Sequence, residues 1–260
     1  SFDFNEAPLS FCETQANLLF FKINSTSAES FALETGLNSS FFLETDTVTV
    51  ALDGNNAKAI YRNYAAAITP NYFCNTVPPT TPQVLESLEA IAGQATIINT
   101  AFFDDNDGID LELPDDLDQD GIPNFYDFDD DGDNVPTAIE VGNDPNNPQD
   151  TDEDGIPDYL DTDDDNDGVL TRNEDLNQNL NPTDDVSNPL IGPDYLNADV
   201  SKNTPINAYR DHLFTLTSFV RIDFLNMLLT DGTQELLIES LIFENEAPLL
   251  QTQITINPVF

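Results

Sequence analysis

The sequence predicts a mainly β protein, a β-sandwich built from N- and C-terminal flanks with a loop-rich acidic segment inserted between them. Three observations predict it. Both flanks carry short runs of β-branched and aromatic residues with alternating polarity, the period of a half-buried strand. The middle repeats itself at a spacing of 34 residues, with Asp116–Glu140 and Asp150–Glu174 sharing 14 of 25 positions, nine of them acidic. Charge is segregated: 30 of the 49 acidic residues lie between Asp104 and Asp185, opposed there only by Arg172.

Residues 1–103 read as the first part of the β region. Asn17–Asn24 and Thr45–Asp53 are strand-like, and Asp53-Gly54 supplies a hairpin turn before Ala57–Arg62. Val77–Pro82 is proline-rich and reads as a loop. Gln83–Ile91 and Ala95–Phe103 read as two strands with a turn at Gly93, a helix over VLESLEAIA being the competing assignment. Residues 104–203 form the repeat segment. Residues 204–260 return to β character through Leu213–Leu225, a turn at Asp231-Gly232, Glu235–Phe243 and Leu250–Ile256. The phrase Asn-Glu-Ala-Pro-Leu occurs at 5–9 and again at 245–249. It fits two related β domains, a coincidence, or the favoured arrangement in which both flanks feed one sandwich.

The net charge of −42 excludes a nucleic-acid partner, because no basic patch exists to displace counterions from phosphates. A free polyanion of this density would repel itself and stay disordered unless cations neutralised it. Cys12 and Cys74 read as a disulfide in an extracytoplasmic setting, the alternative being two buried thiols. Phe11 stands before Cys12 where a lipidation signal would have a small residue. The sequence shows no signal peptide and no apolar run of membrane-spanning length. Membrane attachment is therefore expected only through a lipid anchor upstream of Ser1.

Within each repeat the acids follow ligand spacing. Asp116, Asp118 and Asp120 occupy positions one, three and five of a loop, with Gly121 at six, Ile122 at seven, Asn124 at nine and Asp127 at twelve. The second copy gives Asp150, Asp152, Asp154, Gly155, Ile156, Asp158 and Asp161. A second loop follows in each: Asp129, Asp131, Asp133, Val135 and Glu140, then Asp163, Asp165, Asp167, Val169 and Glu174. Alternating oxygen ligands around a tight turn, a backbone carbonyl at seven and an acid at twelve are what Ca2+ requires. In the copy at 129, Asn134 stands in the glycine position, where asparagine tolerates a left-handed backbone better than most residues. Asp105 and Asp107 belong to a half-loop whose first position is Phe103. Asp175, Asn177 and Asn179 keep the alternation but place Leu180 where glycine belongs, and residues 192–197 echo the phrase at 157–161. Roughly four Ca2+ sites are expected, with one or two weaker ones. Few His or Cys are available for zinc or copper.

The DxDxDGIPDYxD phrases resemble thrombospondin type 3 calcium repeats, and DDDNDGVLTRNE resembles a dockerin or EF-hand-type loop. Set between β-rich flanks, the combination is similar to extracellular lipoproteins of Gram-negative outer membranes. The resemblance covers residues 104–197. It implies an extended segment wound around a row of Ca2+ ions and a location at the bacterial cell surface, and it transfers no catalytic activity.

His212 is the only histidine and is expected to be a packing or surface residue. No nucleophile elbow or phosphate-binding glycine loop is present. The expectation is a non-catalytic surface scaffold, an accessory subunit of an outer-membrane protein complex with other surface proteins as partners. The alternative is a carbohydrate-binding or adhesive module, for which Phe41, Phe42, Tyr61, Tyr64 and Tyr72 would have to form an exposed platform.

Overall fold

The computed structural model describes residues 3–14, 17–75, 77, 79–109 and 116–260. The fold is mainly β, with a curled antiparallel sheet. Its strands are β1 (Ser10–Thr14), β2 (Asn17–Asn24), β3 (Glu29–Glu34), β4 (Asp46–Ala51), β5 (Lys58–Tyr64), β6 (Val84–Asp104), β7 (His212–Thr230), β8 (Glu235–Phe243) and β9 (Leu250–Ile256). They form one sheet in the order β1-β2-β3-β5-β6-β7-β8, with β4 paired to β6 and β9 to β7. Both flanks therefore contribute to the same sheet. The chain divides into two compact units, one of residues 1–102 and 217–251, the other of residues 103–216 and 252–260.

The first unit is held by apolar burial. Phe31, Phe224 and Phe243 meet edge to face at centroid separations of 5.1, 5.3 and 5.2 Å, and Phe20, Leu33, Phe42, Ile97 and Ile222 pack in the same cluster. Each such side chain contributes roughly 1.5–3 kcal/mol on burial. Phe41, Phe42, Tyr61 and Tyr64 are buried and Tyr72 is half-buried, so these aromatics are packing residues rather than an exposed platform. The carbohydrate reading loses its support there. The polar groups inside are satisfied: Asn99 donates to the carbonyls of Phe41 (3.1 Å), Phe42 (3.3 Å) and Glu44 (2.7 Å). The two copies of Asn-Glu-Ala-Pro-Leu meet, the Asn245 side chain accepting from Leu9 N at 2.7 Å and donating to Leu9 O at 2.9 Å.

Two local expectations are corrected. Asp53-Gly54 does make a turn, with Asp53 Oδ1 accepting from Asn55 N and Asn56 N at 2.9 Å each. The strands on either side of it do not pair with each other, because β4 pairs with β6 while β5 pairs with β3 and β6. Gly93 is not a turn between two strands, and VLESLEAIA is not a helix. β6 runs unbroken for 21 residues, pairing with β5 over 84–89 and with β4 over 94–99. Its buried positions are Leu88 and Ala90 before Gly93 but Ala95, Ile97 and Asn99 after it, so the alternation reverses phase there. β7 reverses phase in the same way between Phe224 and Met227, at Asn226. Gly93 has φ +113° and Asn226 φ +50°, and both absorb the extra residue that shifts the faces.

Gly93 also lies against β7 so closely that a Cβ would sit 2.7 Å from Met227 Cα and 2.8 Å from Asn226 O. Gly93→Ala is expected to destabilise the first unit by about 1–3 kcal/mol. A urea unfolding midpoint equal to wild type would show that the two strands part without cost. Cys12 and Cys74 are joined with Cα atoms 5.4 Å apart and close a segment of 62 residues. Reduction is expected to remove about 2–4 kcal/mol from the same unit, read as a lower urea midpoint with reductant than without, and absent in a Cys12→Ser/Cys74→Ser variant.

Candidate metal centre

The second unit has little regular structure because its backbone is bent by the same two residues in every loop. At positions four and six φ is positive in six successive loops: Asn106 and Gly108, Gln119 and Gly121, Gly132 and Asn134, Glu153 and Gly155, Asn166 and Gly168, Gln178 and Leu180. Carboxylates hold this shape. In the loop from Asp116, Gly121 N donates to Asp116 Oδ2 (3.1 Å), Asp120 N to Asp118 Oδ1 (3.1 Å) and Ile122 N to Asp120 Oδ1 (2.7 Å). The loops from Asp150 and Asp163 repeat all three bonds. The half-loop keeps the later two, from Asp107 N to Asp105 Oδ1 and from Ile109 N to Asp107 Oδ1.

In most of these carboxylates one oxygen is engaged by the backbone and the other is buried without a donor, whereas Asp152 Oδ2 accepts from Asn166 Nδ2 at 2.8 Å. Among the described residues, Asp105 Oδ2, Asp116 Oδ1, Asp118 Oδ2, Asp120 Oδ2, Asp150 Oδ1, Asp163 Oδ1, Asp165 Oδ2 and Asp167 Oδ2 are buried atoms without a hydrogen-bond donor. These oxygens converge. Asp116, Asp118 and Asp120 bring ligand atoms within 4.8 Å of one another, as do Asp150, Asp152 and Asp154, and Asp163, Asp165 and Asp167. The deepest group is Asp131, Asp133, Glu140 and Asp164, all four buried.

The other sequence candidates fall around these groups. Glu174 is buried with both oxygens unpartnered, and the charges of Asp165 and Asp167 add to its burial in pushing it up to about 9. Asp129 uses both oxygens on backbone N–H groups, those of Asp133 at 3.2 Å and Asn134 at 2.8 Å. Asp127 and Asp161 each accept from the backbone two residues on, Asp129 N and Asp163 N, at 3.1 Å. Asn124 and Asp158 reach back across their loops to Leu117 N (3.0 Å) and Thr151 N (2.7 Å), and Asp158 takes the Thr151 hydroxyl as well. At position seven, Ile122, Val135 and Val169 are buried while Ile156 is exposed. The loop from Asp175 adopts the shared backbone without glycine, Leu180 sitting at φ +62° with its N–H on Asp175 Oδ2 at 2.7 Å. Its amides Asn177 and Asn179 both donate to Asp184, so this loop is satisfied by its own side chains.

Some participants lie outside the loop spacing. His212, expected as a packing or surface residue, is fully buried, its Nδ1 2.7 Å from Asp127 Oδ1 and 3.6 Å from Asp120 Oδ2. No local signal reveals it, because Asp127 is far away in sequence. Asp130 and Asp164 occupy position two, which the ligand pattern skips; their identity across the 34-residue repeat was the available signal. Asp194 copies Asp158, accepting from Ser187 N at 2.6 Å and the Ser187 hydroxyl at 2.7 Å.

Electrostatically these groups demand a counter-charge. Two carboxylates 4 Å apart repel by about 4 kcal/mol at an effective dielectric of 20, and burial adds the cost of desolvating each charge. Burial first, and neighbouring carboxylates second, push Asp105 up to about 8 and Asp164 to about 11, with Asp131 and Glu140 well above the usual range. Burial likewise raises Asp118 to about 7 and Asp133 to about 8. The donors are all oxygen in four of the five groups, the donor set of a hard cation.

Comparison with known proteins gives one family match: residues 141–188 match the family described as BamM C-terminal. No curated protein and no solved structure matches the chain. The matched stretch is less than a fifth of the chain and contains the second repeat, Asp150–Glu174, whole.

Proposed function

We propose that this chain is a calcium-stabilised, non-catalytic component of a bacterial outer-membrane protein assembly complex, acting outside the cytoplasm. One observation carries the reading: the stretch similar to the BamM C-terminal family contains two of the carboxylate-lined loops, those from Asp150 and Asp163. The match supports the outer-membrane setting and the class of partner, other outer-membrane assembly proteins. The inward carboxylate oxygens support the cation. Loops 116–127, 129–140, 150–161 and 163–174 would each take a Ca2+ ion through those oxygens. Bound ions supply positive charge that stands in for the basic residues the segment lacks. Neutralisation and cross-linking by ions would replace the apolar core that holds the first unit. The role of the repeat unit is then mechanical, a rigid platform for protein contacts. Buried apolar side chains such as Ile122, Val135 and Val169 are few in this unit, so bound calcium would be the larger contributor to its rigidity.

Calcium titration calorimetry on chelator-stripped protein is expected to give about four bound ions, with X-ray scattering reporting a decrease in radius of gyration. Scattering that is the same with chelator and with calcium would sink the reading.

A pH experiment tests the electrostatics separately. A carboxyl whose folded value is raised holds its proton more tightly folded than unfolded, so its contribution is complete below the unfolded value and lost as pH rises through the folded one. For Asp118, Asp133 and Glu174 those folded values are about 7, 8 and 9. Chelator-stripped protein is therefore expected to lose near-ultraviolet tyrosine dichroism from the repeat unit between roughly pH 5 and 9, and to regain it at the upper end on adding calcium. A signal flat across that range in chelator would mean that these carboxyls are not buried together.

A further inference from the structure

The most deeply buried group lacks one of its own loop's ligands. In the loops from Asp116, Asp150 and Asp163, the first aspartate keeps an oxygen free of donors. Asp129 does not, since both its oxygens are taken by Asp133 N and Asn134 N. The group nevertheless has a fourth carboxylate. Asp164, from the second repeat, has its ligand atom within 4.8 Å of those of Asp131, Asp133 and Glu140 in the first. Its side chain is 1% exposed and neither oxygen has a hydrogen-bond donor among the described residues. Its backbone is fixed by Asp164 N donating to the Thr171 hydroxyl at 3.2 Å. Side chains at positions one, three and five of its own loop form a separate group from which it is absent.

The geometry points to Asp164 as a ligand that the second repeat contributes to a cation held by Asp131, Asp133 and Glu140 of the first, so that one ion ties the two repeats together. This rests on the calcium reading above and adds to it a ligand from outside the loop. Asp130 stands in the corresponding place one repeat earlier. It is buried, its N–H is on the Thr137 hydroxyl at 3.0 Å, and its Oδ1 has no donor. The half-loop at the start of the segment has Phe103 where its first ligand belongs. At the first repeat's deepest group, then, a position-two aspartate stands in where the loop's own first position has both oxygens engaged. The linkage makes ion binding in the first repeat depend on the folding of the second.

The test is a double-mutant comparison on the full chain, stripped with chelator and titrated with calcium chloride by calorimetry. Asp164→Asn and Asp131→Asn are each expected to weaken or abolish the same single site, at least tenfold. Their combination should cost no more than the worse of the two, whereas Asp164→Asn with Asp165→Asn should lose two separate sites. Wild-type binding retained in Asp164→Asn would overturn the inference and leave the calcium reading intact. So would a loss that adds to that of Asp131→Asn but not to that of Asp165→Asn. Absence of calcium binding by the wild-type chain would remove both. Hydrogen exchange on Asp131→Asn reports independently of how Asp164→Asn folds. Calcium-dependent protection should fall at 163–174 as well as at 129–140, and loss confined to 129–140 would overturn the linkage.

Discussion

Burial of like charge governs the repeat unit. Asp131, Asp133, Glu140 and Asp164 are enclosed together, and the one base within the acidic segment, Arg172, turns its guanidinium to the face of Phe260 at 5.1 Å. No arrangement of side chains available there can neutralise four carboxylates. Protons can do so at low pH and cations can do so at neutral pH, the physical basis of the proposed calcium reading. Position by position, the loops are shaped to keep oxygens pointing at one another, against their electrostatic preference.

What makes such a shape reachable is the backbone. Asp116, Asp118 and Asp120 each use one oxygen on an N–H two to five residues ahead, so the turn is built by the same groups that converge at its centre. Left-handed residues at positions four and six turn those N–H groups towards the carboxylates. Leu180 shows that hydrogen bonding can hold a left-handed residue even without glycine, at the steric cost that glycine avoids. Gly132 has a further constraint: a Cβ there would lie 2.7 Å from Tyr209 Cε1, so that this position is closed to other residues by packing. The segment after the repeats fastens to the loops through asparagines. Arg210 N donates to Asn134 Oδ1 at 2.8 Å, and Ile206 N to Asn173 Oδ1 at 2.8 Å.

These local rules were legible in the sequence because they are periodic. Alternation placed the strands of both flanks except β1 and β3, and acids in register with glycine placed the loops. Illegible features were those in which the period breaks or the partner is distant. Gly93 read as a turn, since a glycine between two alternating runs looks the same whether the chain reverses or merely shifts phase. Only the neighbouring strand, which shifts phase at Asn226, distinguishes the two. Asp53-Gly54 read as a hairpin because turn chemistry is local while strand pairing is not. Asp164 and Asp130 were passed over because a loop considered alone has no use for position two. His212 reaches Asp127 from the first residue of β7, a relation set by the fold and not by any spacing.

The two units therefore solve the problem of order by different physics. The first buries a phenylalanine-rich cluster and closes it with a disulfide, so its stability is carried within the chain. The second buries isolated residues such as Ile122, Val135, Tyr159 and Val169 among carboxylates, too few to offset the entropy of ordering about a hundred residues at roughly 1–2 kcal/mol each. Its order has to come from outside the polypeptide. On the proposed calcium reading such a unit would fold where divalent cations are abundant and loosen where they are scarce, so that the ionic composition of the compartment would become part of the fold. In the proposed outer-membrane role this would confer a directional property: the repeat unit would become rigid only once it had reached a calcium-rich compartment outside the cytoplasm.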